Sequence, residues 1–568
     1  MSESRATPSP MFAFAEAYVL DEAERDPMLA TYVGVPGHED QLTDFSMSAA
    51  RESLGATIKA EADLAAIEIT DDNDRVAHAV MAERLAARRR VDDAFEGYRA
   101  WSVISSPVAN VRQVFELMSA ESSDDAGVIA TRLRGVDAAL SSWCDGLSSA
   151  ADAGIVAPRR HVIAVADQAR THAEGGYEAF AARAAASCGV DVEASGLLNA
   201  ARSAQAAAGA TGDWLREAFA SRATAPDAAG AERYALWSSF YSGIDVDFAE
   251  LYEWGTEDLL GLHERMVALG RRLAPDASSL IEVANALDVD DAGAVFGEEA
   301  LVERLLAFTE AAVASMNGPH FDIDPRVQFC DARIAPPGSA AAPYYIPPSE
   351  DLSRPGITWF PTLGETRFPW WRIPSTWYHE AVPGHHLQEA MIALRHGELT
   401  RFQRQLAWTS GVGEGWALYA ERFMDELGAF SPAEEFGYLA NQALRAARIV
   451  VDLGLHLGYP VPSGFDDALG ESDTAGSAWT PERAVALIDR WVIQSHAMSV
   501  SEVERYLGIP AQAISYKLGE RTWRSTRDAA SERLGSRFSL KAFHQRALSM
   551  GPMGLRPFVD LLSVWDGD

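Results

Sequence analysis

Trp377-Tyr378-His379-Glu380-Ala381-Val382-Pro383-Gly384-His385-His386-Leu387-Gln388 is the stretch whose reading decides the fold of this chain. It holds three of only 13 histidines within eight residues, and a glutamate directly follows the first. Neutral imidazoles are zinc ligands, and a carboxylate beside them can take a proton from water held by the metal. The common helical form of such a site is H-E-x-x-H, in which His at i and i+4 share a face. Here the fourth residue after His379 is Pro383, which cannot ligate. Reading Pro383-Gly384 as a two-residue insertion leaves His379-Glu380-Ala381-Val382-His385. Pro removes a backbone donor and Gly tolerates unusual dihedrals, so the interruption can bend the helix and bring His385 to the metal. On an unbroken helix His386 fits better, because seven residues turn through about 700°. Both ligands stay open, as does a hydrogen-bonded histidine cluster without metal.

A third ligand is offered downstream by Gly411-Val412-Gly413-Glu414-Gly415-Trp416-Ala417-Leu418-Tyr419-Ala420-Glu421-Arg422-Phe423. Glu414 and Glu421 are seven residues apart and project from one side of a helix that is otherwise apolar there. A carboxylate on an apolar face is costly unless paired or metal-bound. His379, His385 and Glu414 therefore form a candidate two-His, one-carboxylate site with an open fourth position. Glu421 would orient a histidine ligand from behind. Two salt-bridged glutamates are the plainer alternative for this segment.

Both segments also carry a resemblance. The chain resembles a bacterial family known as domain of unknown function 885, whose fold is similar to that of the carboxypeptidase Taq metallopeptidases. The matching pieces are His379 to Gln388 and Glu414-Gly415-Trp416-Ala417-Leu418-Tyr419-Ala420-Glu421. Further pieces are Leu29-Ala30-Thr31-Tyr32-Val33-Gly34, Arg448 to His456, Arg505-Tyr506, and Pro510-Ala511-Gln512-Ala513-Ile514-Ser515-Tyr516-Lys517-Leu518-Gly519. The likeness covers nearly the whole chain. It implies a mostly helical, zincin-like protein with His379, His385 and Glu414 on the metal and Glu380 as base.

The remaining composition narrows the classes. At 568 residues the chain can bury a large core. A net charge of −34 argues against nucleic acid and anionic membrane as partners. No run of about 18 apolar residues occurs, so no membrane span is expected. Cys144, Cys188 and Cys330 are scattered, without ligand spacing or a disulfide framework, which fits a reducing, cytoplasmic compartment. The first ten residues are polar and lack the basic and apolar regions of a signal peptide.

Apolar spacing predicts successive amphipathic helices from about 11 to 248, as in Ile129, Leu133, Val136, Leu140 and Trp143, and an Ala-rich helical stretch over 181–210. Between 316 and 374 prolines become dense, and β-favouring pieces appear at 326–330, 342–346 and 356–360. They predict a small sheet around 326–362, ahead of the His-rich helix, with Gly356–Phe360 as an edge strand to which a peptide could add. Helix returns from 375 onward. Thr480-Pro481 is a helix start, and the Gly-, Ser- and Asp-rich loop 460–477 is a candidate rim of the site. The expected organisation is an N-terminal helical region, 1–248, and a zincin-like catalytic region, 249–568, with one continuous structural unit as the alternative.

Amide hydrolysis needs a further donor for the developing oxyanion. Tyr516 is the first candidate, with His456 and His496 as alternatives. Arg448, Asp452 and His456 recur every four residues on one helix face, as an ion-paired ladder or as substrate contacts. In the latter case Arg448 would grip a terminal carboxylate, and Arg505 or Lys517 could serve instead. The sequence thus predicts a mainly α-helical zinc hydrolase, a carboxypeptidase-like peptidase acting on a peptide or small molecule. Its rivals are a metal-free His/Glu esterase-like hydrolase and a non-catalytic helical scaffold.

Overall fold

A computed structural model describes residues 8–336 and 342–567. The first seven residues of the polar N-terminus, and 337–341 within the expected sheet region, lie outside these. The chain forms two compact units: residues 1–70, 85–229 and 507–510 in one, and 71–84, 230–506 and 511–568 in the other. The division falls at Ala229/Gly230 rather than at 248, and two short segments cross it in sequence.

The described part of the first unit is helical. The stripe of Ile129, Leu133, Val136, Leu140 and Trp143 is buried, but it runs over two helices, Ser123–Arg134 and Val136–Asp152. Ser122 and Asp125 form a capping box at the start of the first. The Ala-rich stretch is likewise two helices, Tyr177–Cys188 and Leu197–Trp214, separated by left-handed Gly189 and Gly196. Small side chains at Ala200, Ala201, Ala204 and Ala208 are all buried, so neighbouring helices can approach closely.

The second unit holds every candidate metal ligand. Its long helices include Phe248–Leu273, Glu298–Met316, Ser410–Glu426, Pro432–Leu457 and Ser515–Leu534. Pro432–Leu457 starts on a Ser431–Glu434 capping box with Pro at its first position and ends on left-handed Gly458. Ser410–Glu426 and Ser515–Leu534 cross through glycines. A Cβ on Gly519 would stand 2.0 Å from the Gly411 carbonyl oxygen and 2.6 Å from the Gly415 Cα. Gly519→Ala is therefore expected to lower stability by about 1–3 kcal/mol through overpacking, read as a fall in Tm.

The small sheet differs in order from the expectation. Gly356–Phe360 is the central strand, parallel to Cys330–Ile334 on one side and antiparallel to Tyr344–Ile346 on the other. It cannot add a peptide, because both of its hydrogen-bonding edges are taken. Its burial fits the central place: Ile357 and Thr358 are 4% and 0% exposed. Among the described residues, Tyr344–Ile346 is an edge strand of this sheet. Residues 325–327 form a 3-10 turn capped by Asp324, so the first strand begins only at Cys330. A second, two-stranded sheet pairs Ala294–Phe296 with Arg367–Pro369.

Thr480 caps Pro481–Leu487 as expected. The loop 460–477 contains a short helix, Asp466–Leu469, and Asp466 accepts hydrogen bonds from Thr474 and Asp473. Among the described residues, no helix is long and apolar enough to cross a membrane.

Candidate metal centre

The His-rich segment is two helices. Pro374–Glu380 ends on Glu380, and His385–Leu394 begins on His385. Four residues, Ala381 to Gly384, make the break, with a cis bond between Val382 and Pro383. A Cβ on Gly384 would lie 1.9 Å from the His379 carbonyl oxygen, so only glycine fits this close return of the chain. Trp416 fastens the break to the neighbouring helix. Its indole N–H points at the carbonyls of Pro383 and Gly384, 3.0 and 3.1 Å away. The Glu-Gly-Trp segment thus supplies both a carboxylate, Glu414, and the clamp that holds the histidine turn.

This turn separates the adjacent histidines. His385 faces His379, with ring centroids 4.9 Å apart and planes nearly perpendicular. His386 faces the sheet, with one ring nitrogen 2.9 Å from the Tyr345 hydroxyl and the other 2.8 Å from the Val327 carbonyl oxygen. Gly356 leaves room for that contact, since its Cβ would sit 2.6 Å from His386 Nδ1. Ligand atoms of His379, His385 and Glu414 lie within 4.8 Å of one another. Glu414 Oε2 is 3.2 Å from His379 Nε2 and 3.6 Å from His385 Nε2. Between the two candidate histidines the geometry points to His385.

Glu421 lies behind His379. Its carboxylate meets His379 Nδ1 at 2.8 Å and accepts a hydrogen bond from the Ser375 hydroxyl. Fixing Nδ1 in this way leaves Nε2 free to ligate. Glu421→Ala is expected to weaken zinc affinity about 10–100-fold, measured by competition with a chromogenic chelator.

Carboxylates beside the two imidazoles set the electrostatics of the cluster. Burial alone would lower the His379 pKa, but Glu414 and Glu421 raise it to about 10. His385 is raised against the same burial by Glu414. Burial would lift Glu414, yet the two histidines hold it well below the ordinary carboxylate range. His386, by contrast, is pushed down to about 4 by burial and stays neutral. Burial raises Glu380, with His379 and His385 opposing. Two imidazoles and a carboxylate whose donor atoms converge make a donor set suited to zinc.

These residues line a cavity of about 540 Å³, together with Tyr344, Tyr345, Glu389, Arg445, Arg448, Glu502 and Tyr516. Tyr516 is half-buried beside the Arg448 guanidinium, which lies 4.6 Å from its ring centre. The other expected participants fall elsewhere. His456 is buried, 3.0 Å from the Tyr506 carbonyl and 3.7 Å from Asp452, and does not line the cavity. His496 is exposed and pairs with Asp489. Lys517 is fully buried among Gln442, Glu520 and Asp258, because a buried ammonium must be paired. Arg505 contacts Glu502 and Gln512 and does not line the cavity. The loop 460–477 contributes no lining residue.

Arg448 lines the cavity, but both its Nε and Nη2 donate to Glu502, at 3.1 and 2.9 Å. Burial would raise the Glu502 pKa, and Arg448 and Arg505 overcome it, holding the carboxyl well below its usual range. A depressed folded-state pKa contributes stability above the unfolded carboxyl value of about 4.3, and this fades as pH falls below it. Glu502→Gln is expected to cost about 1–3 kcal/mol at pH 7. The Tm gap to wild type should narrow between pH 7 and pH 3.

Reasoning from the sequence missed Arg445 and Glu389. Each had a signal: Arg445 is one turn before Arg448, and Glu389 is four residues after His385, on the same face.

Fold and site together define a mainly helical protein with a buried His–His–Glu cluster opening on a cavity. A profile of the family described as "Bacterial protein of unknown function (DUF885)" matches residues 27–561, and the chain belongs to that family. Two solved structures share its fold over 98% of this chain. One, from Colwellia psychrerythraea, is provisionally called a lipoprotein; it is 20% identical, covered over 98% of its own length, with a TM-score of 0.83. The other, from Shewanella oneidensis, is provisionally called a lipoprotein of unknown function; it is 18% identical, covered over its full length, with a TM-score of 0.75. No curated protein matches the chain.

Proposed function

We propose that the protein is a zinc-dependent hydrolase, and most specifically a peptidase, with His379, His385 and Glu414 as zinc ligands. The observation that carries this is the convergence of their donor atoms within 4.8 Å on the wall of a cavity that Glu380 also lines. Zinc bound there would lower the pKa of its water toward about 7 and polarise a scissile carbonyl. Glu380 is the base that accepts the proton from the attacking water and returns it to the leaving amine. Its burial favours this, because a raised pKa brings a carboxyl closer to neutrality. Tyr516 is the donor for the developing oxyanion. Tyr344–Ile346, an edge strand that lines the cavity through Tyr344 and Tyr345, is a place where an extended peptide can add main-chain hydrogen bonds. A zincin-like fold similar to that of the carboxypeptidase Taq metallopeptidases is part of this proposal.

The carboxypeptidase variant of this reading leaned on Arg448, Arg505 and Lys517. Each is engaged with carboxylates or amides of the chain, so none presents an open guanidinium fork or a free ammonium. The compartment is read in two ways. Three free cysteines fit the cytoplasm, whereas the neighbours' provisional name would put a relative in the envelope. Cell fractionation decides between them.

The direct test is hydrolysis of a defined peptide pool by zinc-loaded wild type beside Glu380→Gln, with products read by mass spectrometry. Cleavage by wild type alone supports the peptidase. Turnover that survives a chelator favours the metal-free esterase-like rival. Equal inertness of both proteins toward peptides and esters favours the scaffold.

A further inference from the structure

The charged groups of the cavity wall are Glu380, Glu389, Glu414, Glu502, Arg445 and Arg448. Five of them have a partner or an assigned task. Glu414 faces two histidines, and Glu380 directly follows His379 and opens on the same cavity. Glu502 takes Arg448 at 2.9 Å and Arg505 at 3.0 Å. Arg445 donates to the Asn441 carbonyl oxygen at 3.2 Å and stands 4.0 Å from Glu421. Glu389, like Glu380, has no hydrogen bond or ion pair among the described residues, but unlike Glu380 it has no task in the proposed chemistry. Nor does it belong to the ligand cluster of His379, His385 and Glu414.

A half-buried carboxyl without a partner is costly, and its surroundings reflect this. Burial, with Glu380 and Glu414 adding to it and His385 opposing, pushes Glu389 up to about 7. No arginine or lysine among the described residues pairs with it. Neither arginine of the wall does so, and it is not one of the three clustered ligand residues. A cavity of about 540 Å³ is of the size that takes a small molecule or a peptide end.

We propose that Glu389 determines specificity by accepting hydrogen bonds from a protonated amine of the substrate. This rests on the hydrolase reading for its place in the cycle, but not for its test, which reads binding. A protonated amine carries three donors and one positive charge, so it satisfies the carboxylate by charge-assisted hydrogen bonds. The amine can be the free amino terminus of a peptide or a lysine side chain. The first would make the enzyme act from the amino end, and the second would select a basic residue near the cleavage point.

Calorimetry on the zinc-loaded full chain tests this with three probes. Leucinamide has a free α-amine, Nα-acetyl-lysinamide has only a side-chain amine, and N-acetyl-leucinamide has none. Wild type is expected to bind one amine probe about ten-fold more tightly than N-acetyl-leucinamide. Which of the two is preferred identifies the source. Glu389→Gln is expected to lose that preference while keeping its zinc and its affinity for N-acetyl-leucinamide. Three outcomes overturn the proposal: no amine preference in wild type (including no measurable binding of any probe), a preference that persists in Glu389→Gln and so belongs to the metal or another group, or a loss of zinc in Glu389→Gln. A protein that shows the preference but hydrolyses nothing leaves Glu389 in place and removes only the hydrolase reading.

Discussion

Glu380→Gln is expected to keep its zinc and lower kcat by about 10²–10⁴-fold, the usual worth of a positioned general base. Glutamine matches glutamate in shape, so the buried end of Pro374–Glu380 keeps its packing. What is lost is the ability to accept a proton. Glu380 is not one of the three clustered ligand residues, so zinc content should not change. Zinc stoichiometry and turnover on the same preparation check both halves. Loss of zinc would make Glu380 a ligand, and unchanged turnover would remove it from the chemistry.

The adjacent histidines are expected to separate cleanly. His385→Ala removes one of the two proposed imidazole ligands and should weaken zinc binding by at least about 100-fold, given that even an outer partner is worth about 10–100-fold. His386→Ala should keep one zinc per chain but lose about 2–4 kcal/mol of stability. That cost follows from two lost buried hydrogen bonds, to the Tyr345 hydroxyl and the Val327 carbonyl, and from the space left behind. Metal analysis and thermal melts on the pair check this. The reverse result would mean that the break after Glu380 is not the turn described above.

The helical class, the helix start at Thr480 and the alternation of helix with a small sheet before the His-rich segment were all legible in the sequence, because each depends on local spacing and caps. The grouping of His379 and Glu414 with one histidine of the His385–His386 pair was legible too, since the residue types name the chemistry. The choice between His385 and His386 was not. It depends on the path of Ala381 to Gly384, which Trp416 holds from another helix, and no local rule reaches that far. The order of the sheet escaped for the same reason: strand propensity marks Gly356–Phe360 as a strand but not as the central one. Lys517 and His456 looked functional because polar groups in motif-like surroundings read alike whether they face a cavity or a buried partner. Only the packing of Gln442, Glu520 and Asp258 around the ammonium distinguishes the two cases.

X-ray absorption at the zinc edge, on wild type loaded with one equivalent of zinc, tests the central claim most directly. The account predicts a first shell of nitrogen and oxygen only, with two imidazoles, at about 2.0–2.1 Å. It also predicts that one imidazole disappears in His385→Ala. Sulfur in the shell, failure to bind one zinc per chain, or a spectrum unchanged by His385→Ala would contradict it.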